Sequence, residues 1–198
     1  MFRRHLSRPA DVVRACYDAA AMPTLTTERL VMSAPTLADF ADSRAMLANE
    51  EVTRHIGGKP LTEEESWIRL HRHAGQWALL GFGLWVVRDK AGAFVGEVGF
   101  LDVRRQITPR LTAVEVGWLI APEAHGKGYA TEAMRAALAW GDEHFTTAPL
   151  DPSLVRGRFE AIIDPPNAPS FRVAEKLGFA RLGPGTYKGE TVELLRRG

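Results

Sequence analysis

The chain has 198 residues, a formal net charge of +1, 45% apolar residues and 25% charged residues, the profile of one globular domain with at most a terminal extension. No apolar run approaches the roughly 20 residues that span a bilayer, and the balanced charge lacks the basic excess of a dedicated nucleic-acid binder. The single cysteine, Cys16, excludes an intramolecular disulfide framework and points to a reducing, cytoplasmic setting.

Residues 1–22 read as an N-terminal extension with one short helix over 11–21, ended by Met22 and Pro23. Cys16 lies there without a neighbouring base and reads as structural. The basic start lacks the continuous apolar stretch of a secretory signal. A single domain follows over 23–198. "RLVMSA" (29–34) predicts a strand. Thr36 with Asp39 opens a helix to about Ala48, and Thr62 with Glu65 forms a stronger capping box for a second helix, "TEEESWIRLHRHAGQWALL", in which Trp67, Leu70 and Trp77 are expected to share a face. The period then changes to two. Segments 82–89, 93–103 and 112–121 predict successive antiparallel strands, the first pair joined by a tight turn at Lys90–Gly92. A helix follows over 126–145, then a strand over 158–164. Asn167 caps a short helix that ends at Gly178. "ARLGPG" and "TYKGETVELLRR" predict a strand, a turn and a last strand. The order implies an α/β (α+β) domain with a mixed, mostly antiparallel central sheet flanked by helices.

Between the strand "VEVGWLIA" and the next helix stands "PEAHGKGYATEAM". A glycine-rich strand-to-helix turn exposes N–H groups at the positive end of a helix, and Gly126 and Gly128 allow close backbone approach while Lys127 adds charge. That is an anion site. It is not a P-loop, because Lys127 is followed by Gly128 and Tyr129. Nor is it a dinucleotide fingerprint, because Thr131 stands where a third glycine is required and antiparallel strands precede the turn.

From about Leu25 onward the chain resembles the GNAT N-acetyltransferases, in the branch that holds the RimJ/RimL-type ribosomal-protein enzymes. "EVGWLIAPEAHGKGYATEAMRAAL" is similar to the family's acetyl-CoA signature, with His125, Gly126, Lys127, Gly128, Tyr129 and Ala130 in the pyrophosphate positions and Thr131 after them. His125 replaces the usual Arg or Gln. "NAPSFRVAEKLGFARLG" is similar to the second signature. The resemblance implies a sheet splayed at the strand before the glycine turn and acetyl-CoA as cosubstrate. It also implies backbone donors near Leu119 and Ile120 for the acyl oxygen and the pantetheine arm.

Acetylating an amine requires removal of an ammonium proton and stabilisation of a leaving thiolate. The resemblance implies Glu115 as base, with Glu97 on the adjoining strand as the alternative; either carboxylate also reads as a plain strand residue in a salt bridge. Ala174 occupies the place where many relatives carry a tyrosine acid, so Ser170 and Asn167 become the candidates for the sulfur, although Asn167 is equally a helix cap. The histidines lack metal-ligand spacing, so no metal is expected. The implied function is direct transfer of acetyl from acetyl-CoA to a primary amine in a ternary complex. A non-catalytic acyl-CoA-binding or sensing module is the alternative. The resemblance implies that the loops at "NEEVTRHIGGKPL" and "GPGTYKGET" border the acceptor groove; both are glycine-rich, which with Glu50, Glu51 and Glu63–Glu65 favours a peptide or protein N-terminus over a polyamine as acceptor. Nucleic acid and membrane are not expected partners, and a homodimer is left open.

Overall fold

The structure, a computed structural model, describes residues 22–148 and 150–198; the helix expected over 11–21 and Cys16 lie outside them. The chain begins with β1 (Leu25–Thr26) and β2 (Leu30–Ser33), a 3₁₀ turn at Leu37–Asp39, then α1 (Phe40–Leu47), α2 (Glu50–Thr53) and α3 (Glu63–Leu80). The strands β3 (Leu84–Asp89), β4 (Phe94–Leu101), β5 (Ile107–Thr108) and β6 (Val114–Ile120) lead through a 3₁₀ turn at Pro122–Ala124 into α4 (Tyr129–His144). The chain closes with β7 (Phe159–Ile163), α5 (Ala168–Lys176), β8 (Ala180–Tyr187) and β9 (Glu190–Arg197). These strands form one sheet in the order β1-β2-β3-β4-β6-β7-β9-β8-β5. Every pairing is antiparallel except that of β6 with β7.

Local signals account for most boundaries. Thr62 Oγ1 accepts from the Glu65 N–H at 3.2 Å, and Glu65 accepts from the Thr62 N–H at 2.8 Å, so two orphan amides of α3 are satisfied reciprocally. Gly81, at φ +72°, ends that helix. At α1 the Thr36 N–H and hydroxyl both donate to Asp39 Oδ2, and one 3₁₀ turn precedes the helix proper. Asn49 caps the short α2, which falls within a stretch that reads as loop in the sequence. The two-residue β1 and β5 are likewise too short for a periodic signal.

Two sequence expectations need correction. Trp67 does not share the core face of α3: it is 43% exposed and packs edge-on against Phe40, while Leu70 and Trp77 are buried. At 100° per residue Leu70 and Trp77 nearly eclipse, and Trp67 falls some 60° to the side. The last turn also lies later than "GPG". β8 runs through Pro184 and Gly185, absorbs an irregularity between Arg181 and Gly183, and reverses at Lys188–Gly189.

One face of the sheet holds the main core. Trp85, Val98, Phe100, Val114 and Val116 meet Ala133, Met134, Ala137 and Leu138 of α4 and Ala174 and Leu177 of α5. Gly141 lets α4 settle onto β4, since a Cβ there would lie 2.4 Å from the Phe100 ring. The opposite face carries Glu97, Leu119 and Glu115. Leu119 packs there with Met46, Leu47 and Val52 from α1 and α2.

His73 of α3 is 3% exposed, and neither ring nitrogen has a hydrogen-bond partner. Burial, then the charges of Arg69 and Arg72, hold its pKa well below 6.5. The unfolded chain therefore takes up a proton near pH 6.5 that the native state refuses, and stability should fall as pH drops through that value, by at most about 1.4 kcal/mol per pH unit. His73→Leu should flatten this acid limb in thermal unfolding measured between pH 7.5 and 5; an unchanged slope would place the titrating group elsewhere.

Candidate active site

The sheet opens where β6 leaves β7. β6 pairs with β4 along its length, from Glu115↔Leu101 to Ile120↔Gly96. With β7 it pairs only at Val114↔Phe159 and Glu115↔Glu160. Strand alternation decides which backbone groups this frees. The Ala121 N–H bonds Val95 O at 2.9 Å, and Leu119 O lies against Gly96, so odd-numbered residues face β4 while Trp118 and Ile120 face the open side. Ile120 is thus placed as a donor to the cleft, whereas the backbone of Leu119 belongs to the β4 ladder.

The glycine turn closes the top of this opening. Gly126 and Gly128 both take left-handed φ, +74° and +79°, and Gly128 is the N-cap of α4. Among the described residues, the N–H groups of Lys127, Gly128, Tyr129, Ala130 and Thr131 have no backbone acceptor. A Cβ at Gly126 would meet no atom within 4 Å, so the space above the turn is free. His125 turns back, with Nε2 2.9 Å from Ile120 O, and donates to that carbonyl at the edge of the opening. Arg29 clamps the β1–β2 turn onto the loop, donating to Lys127 O at 2.9 Å and to Glu132 Oε2 at 2.6 Å. An open cleft of about 860 Å³ beside Gly128 is bordered by Arg29, Arg135 and Lys176. Glu28 and Glu132 border it too, and Arg29 is paired with Glu132, so its positive character comes from the free amides of the helix N-terminus with Arg135 and Lys176, a cradle suited to an anion.

On the core face, α5 comes down over the free edge of β6. Asn167 Oδ1 accepts from the Ser170 N–H at 3.2 Å, and Ser170 Oγ accepts from Trp118 Nε1 at 3.2 Å. Asn167 therefore serves as the cap, and Ser170 is oriented at the opening by a tryptophan.

The two carboxylates lie on the other face, on adjoining strands but far apart. Glu97 is opposite Leu119 and Glu115 opposite Leu101, a separation of four positions or roughly 13 Å. Each is buried and has its own arginine. Glu97 accepts from Ser43 Oγ at 2.6 Å and pairs with Arg69 of α3. Glu115 takes both its bonds from Arg105 Nε, at 2.7 and 2.9 Å, while Arg105 Nη1 donates to the Tyr187 hydroxyl at 2.9 Å. Burial raises the Glu115 pKa and Arg105 opposes it. A cavity of about 60 Å³ beside Glu115 and Arg105 has room for water. Past the end of β7, His55 Nδ1 lies 2.6 Å from Asp164 Oδ2, which pins the loop after α2 across the opening.

Of the acidic residues expected to draw a cationic acceptor, three have partners and Glu50 and Glu64 are exposed. Glu65 caps α3 and pairs with Lys59, Glu63 pairs with Arg44, and Glu51 lies 3.5 Å from His125. Among the described residues no group of three or more His, Cys, Asp or Glu converges in a way that would hold a metal. No helix there is long and apolar enough to cross a membrane.

The profile of the acetyltransferase (GNAT) domain matches residues 29–180. The chain belongs to the GNAT acetyltransferase family. Among curated relatives of this GNAT chain, the uncharacterized protein YkkB of Bacillus subtilis is 32% identical over 159 residues, 78% of this chain and 83% of its own length. A solved structure assigned to the GNAT family, from Bordetella pertussis, is 33% identical, covers 89% of this chain and 99% of its own, and superposes with a TM-score of 0.74. RimL, a ribosomal L7/L12 alpha-N-protein acetyltransferase solved with coenzyme A, shares the fold at 13% identity and a TM-score of 0.69, over 88% of this chain and 97% of its own.

Several residues of this GNAT site carry no local signal in the sequence. Trp118, Arg29, Tyr187 and the His55–Asp164 pair reach the site through contacts 52 or more residues apart, and Arg69 meets Glu97 across 28.

Removing Arg105 should expose the cost of burying Glu115. Arg105→Met should destabilise by about 3 kcal/mol at pH 7, at the lower end for a buried pair because Arg105 keeps 24% of its side chain exposed. Its Glu115 would then bind a proton on folding, so this variant should recover stability as pH falls. Adding Glu115→Gln should restore most of the loss in urea unfolding; no recovery would mean that Arg105 acts mainly through Tyr187.

Proposed function

We propose that this protein is an acetyl-CoA-dependent N-acetyltransferase that joins acetyl donor and primary-amine acceptor in one ternary complex. The observation that carries the reading is the opening between β6 and β7, which leaves the Trp118 and Ile120 backbone groups next to an anion cradle on one side and Ser170 on the other. The cradle fits a pyrophosphate: its amides lack acceptors, the space above Gly126 is open, and Arg29, Arg135 and Lys176 lie nearby. The bound acetyl-CoA supplies an activated thioester.

The chain's own groups divide the remaining work. The Trp118 and Ile120 N–H groups are aimed at the open side, where negative charge on an acyl oxygen would need a donor. Ser170, held by Trp118, offers a hydroxyl proton to a leaving sulfur. The amine approaches from the opposite face. There Glu115, buried and with its pKa raised, accepts the ammonium proton through a water in the adjoining cavity. Glu97 has the same burial but is tied to both Ser43 and Arg69, which favours Glu115.

The pairing of both carboxylates with arginine also favours a second reading, an acyl-CoA-binding module without turnover. Thioester consumption measured with a panel of amines, beside calorimetric CoA binding, separates the two: binding without consumption sinks the enzyme.

Gly128→Asp puts a negative charge among the turn amides and should weaken CoA well over tenfold, whereas Gly128→Ala, with a similar backbone cost of about 1 kcal/mol, should weaken it far less. Equal affinities by calorimetry would remove the anion cradle. Glu115→Gln should lower turnover about a hundredfold at pH 7 with little change in acetyl-CoA affinity, and partly recover at higher pH as free amine accumulates. Wild-type rates across pH would pass the role to Glu97 or to water alone.

A further inference from the structure

The face from which the amine approaches has a charge pattern of its own. Glu97, Gly99 and Leu101 of β4 stand opposite Leu119, Gly117 and Glu115 of β6, so a glycine pair separates the two carboxylates along the floor. Around this floor Glu97 is paired with Arg69, Glu115 with Arg105 and Glu160 with Arg196, while Arg104 is shared by Asp102 and Asp151.

Arg72 is left over. It follows Arg69 by three residues and so lies on the same side of α3. Its side chain is solvent-accessible and makes no hydrogen bond or ion pair among the described residues. It is nonetheless crowded by the site. Burial, then the charges of Arg69 and Arg105, lower its pKa, while Tyr187 and Glu97 act in the opposite sense, and Glu115 in turn feels Arg72. Arg69 reaches Glu97, and Gln76 Oε1 accepts from the Asp102 N–H at 3.3 Å, so the stretch of α3 that carries Arg72 runs along β4 between the two ion pairs. The Tyr187 hydroxyl accepts from Arg105 at 2.9 Å, which leaves its own proton to donate.

Resting on the transferase reading above, we propose that the acceptor is a small primary amine that also bears a carboxylate, an amino acid in chemical class, and that Arg72 binds that carboxylate with the Tyr187 hydroxyl as a second donor. Three guanidiniums, of Arg69, Arg72 and Arg105, face two carboxylates, so one negative charge completes the groove. A polyamine brings further positive charge to a site already in excess. A dianionic phosphate would overshoot and meet Glu97 and Glu115 at close range. A planar monoanion suits the fork of a free guanidinium and a single hydroxyl.

The test compares kcat/KM for the twenty L-amino acids, their C-terminal amides, tripeptides and spermidine, using wild type, Arg72→Met and Arg72→Glu. The best free amino acid should exceed its own amide by about tenfold or more in the wild type. Arg72→Met should collapse that ratio, and Arg72→Glu should invert it in favour of the amide. An amide, a tripeptide or spermidine turned over faster than every free amino acid would overturn the proposal. So would an acid-to-amide ratio unmoved by either substitution. Absence of turnover on every amine, with CoA still bound, sinks the transferase reading and this one with it, whereas an amide or spermidine turned over faster than every free amino acid sinks the amino-acid acceptor and the role of Arg72 and leaves the transferase reading standing.

Discussion

The parting of β6 from β7 is the constraint on which the rest of the site depends. A parallel strand pair normally continues for its full length, because each unpaired backbone group facing a dry interior costs free energy. Here the ladder stops at Glu115 and Glu160, and Trp118 and Ile120 are left with donors and acceptors on an open side. The structure manages that opening from three directions. His125 meets the Ile120 carbonyl, α5 brings Ser170 over Trp118, and the His55–Asp164 pair fastens a loop across the end of β7. What stays unfilled is a slot with the Trp118 and Ile120 backbone groups along one wall.

The opening also explains why the two faces of the sheet differ. The α4 and α5 face is apolar and densely aromatic, with Trp85, Phe100, Trp140, Phe145 and Phe159 in mutual contact. The other face carries buried carboxylates, each neutralised by an arginine from a different element. Such pairs add little net stability, because desolvation offsets much of their attraction. Their value lies in position: Arg69 comes from α3, Arg105 from the segment before β5 and Tyr187 from the final hairpin, so this face is assembled from three separate parts of the chain.

The anion cradle shows a different economy. It is built from backbone, and side chains only tune it. Arg29 reaches from the β1–β2 turn to Lys127 O and Glu132, which fixes the loop against the N-terminal turn of α4 and brings a second positive group beside the amides. The replacement of the usual first residue of the signature by His125 is accommodated in the same spirit, since the histidine ring binds the strand end while the amides beyond it stay free.

The sequence alone determined those parts whose physics is local. Helix caps at Thr62–Glu65 and Asn167, the two-residue period of β3, β4 and β6, and the glycine turn were all legible, because each depends on neighbours within a few residues. The glycine-turn conformation at Gly126 and Gly128 and the family signatures belong to the same class. Tertiary structure decided the rest. Whether Glu115 and Glu97 stand free or paired depended on arginines distant in sequence, and which amides face the gap depended on where the β6–β7 ladder stops. Trp67 leaves the core because Phe40 and His71 receive it. Long-range pairing and register carry no local signal, since a strand's residues specify alternation but not the neighbour that will complete it.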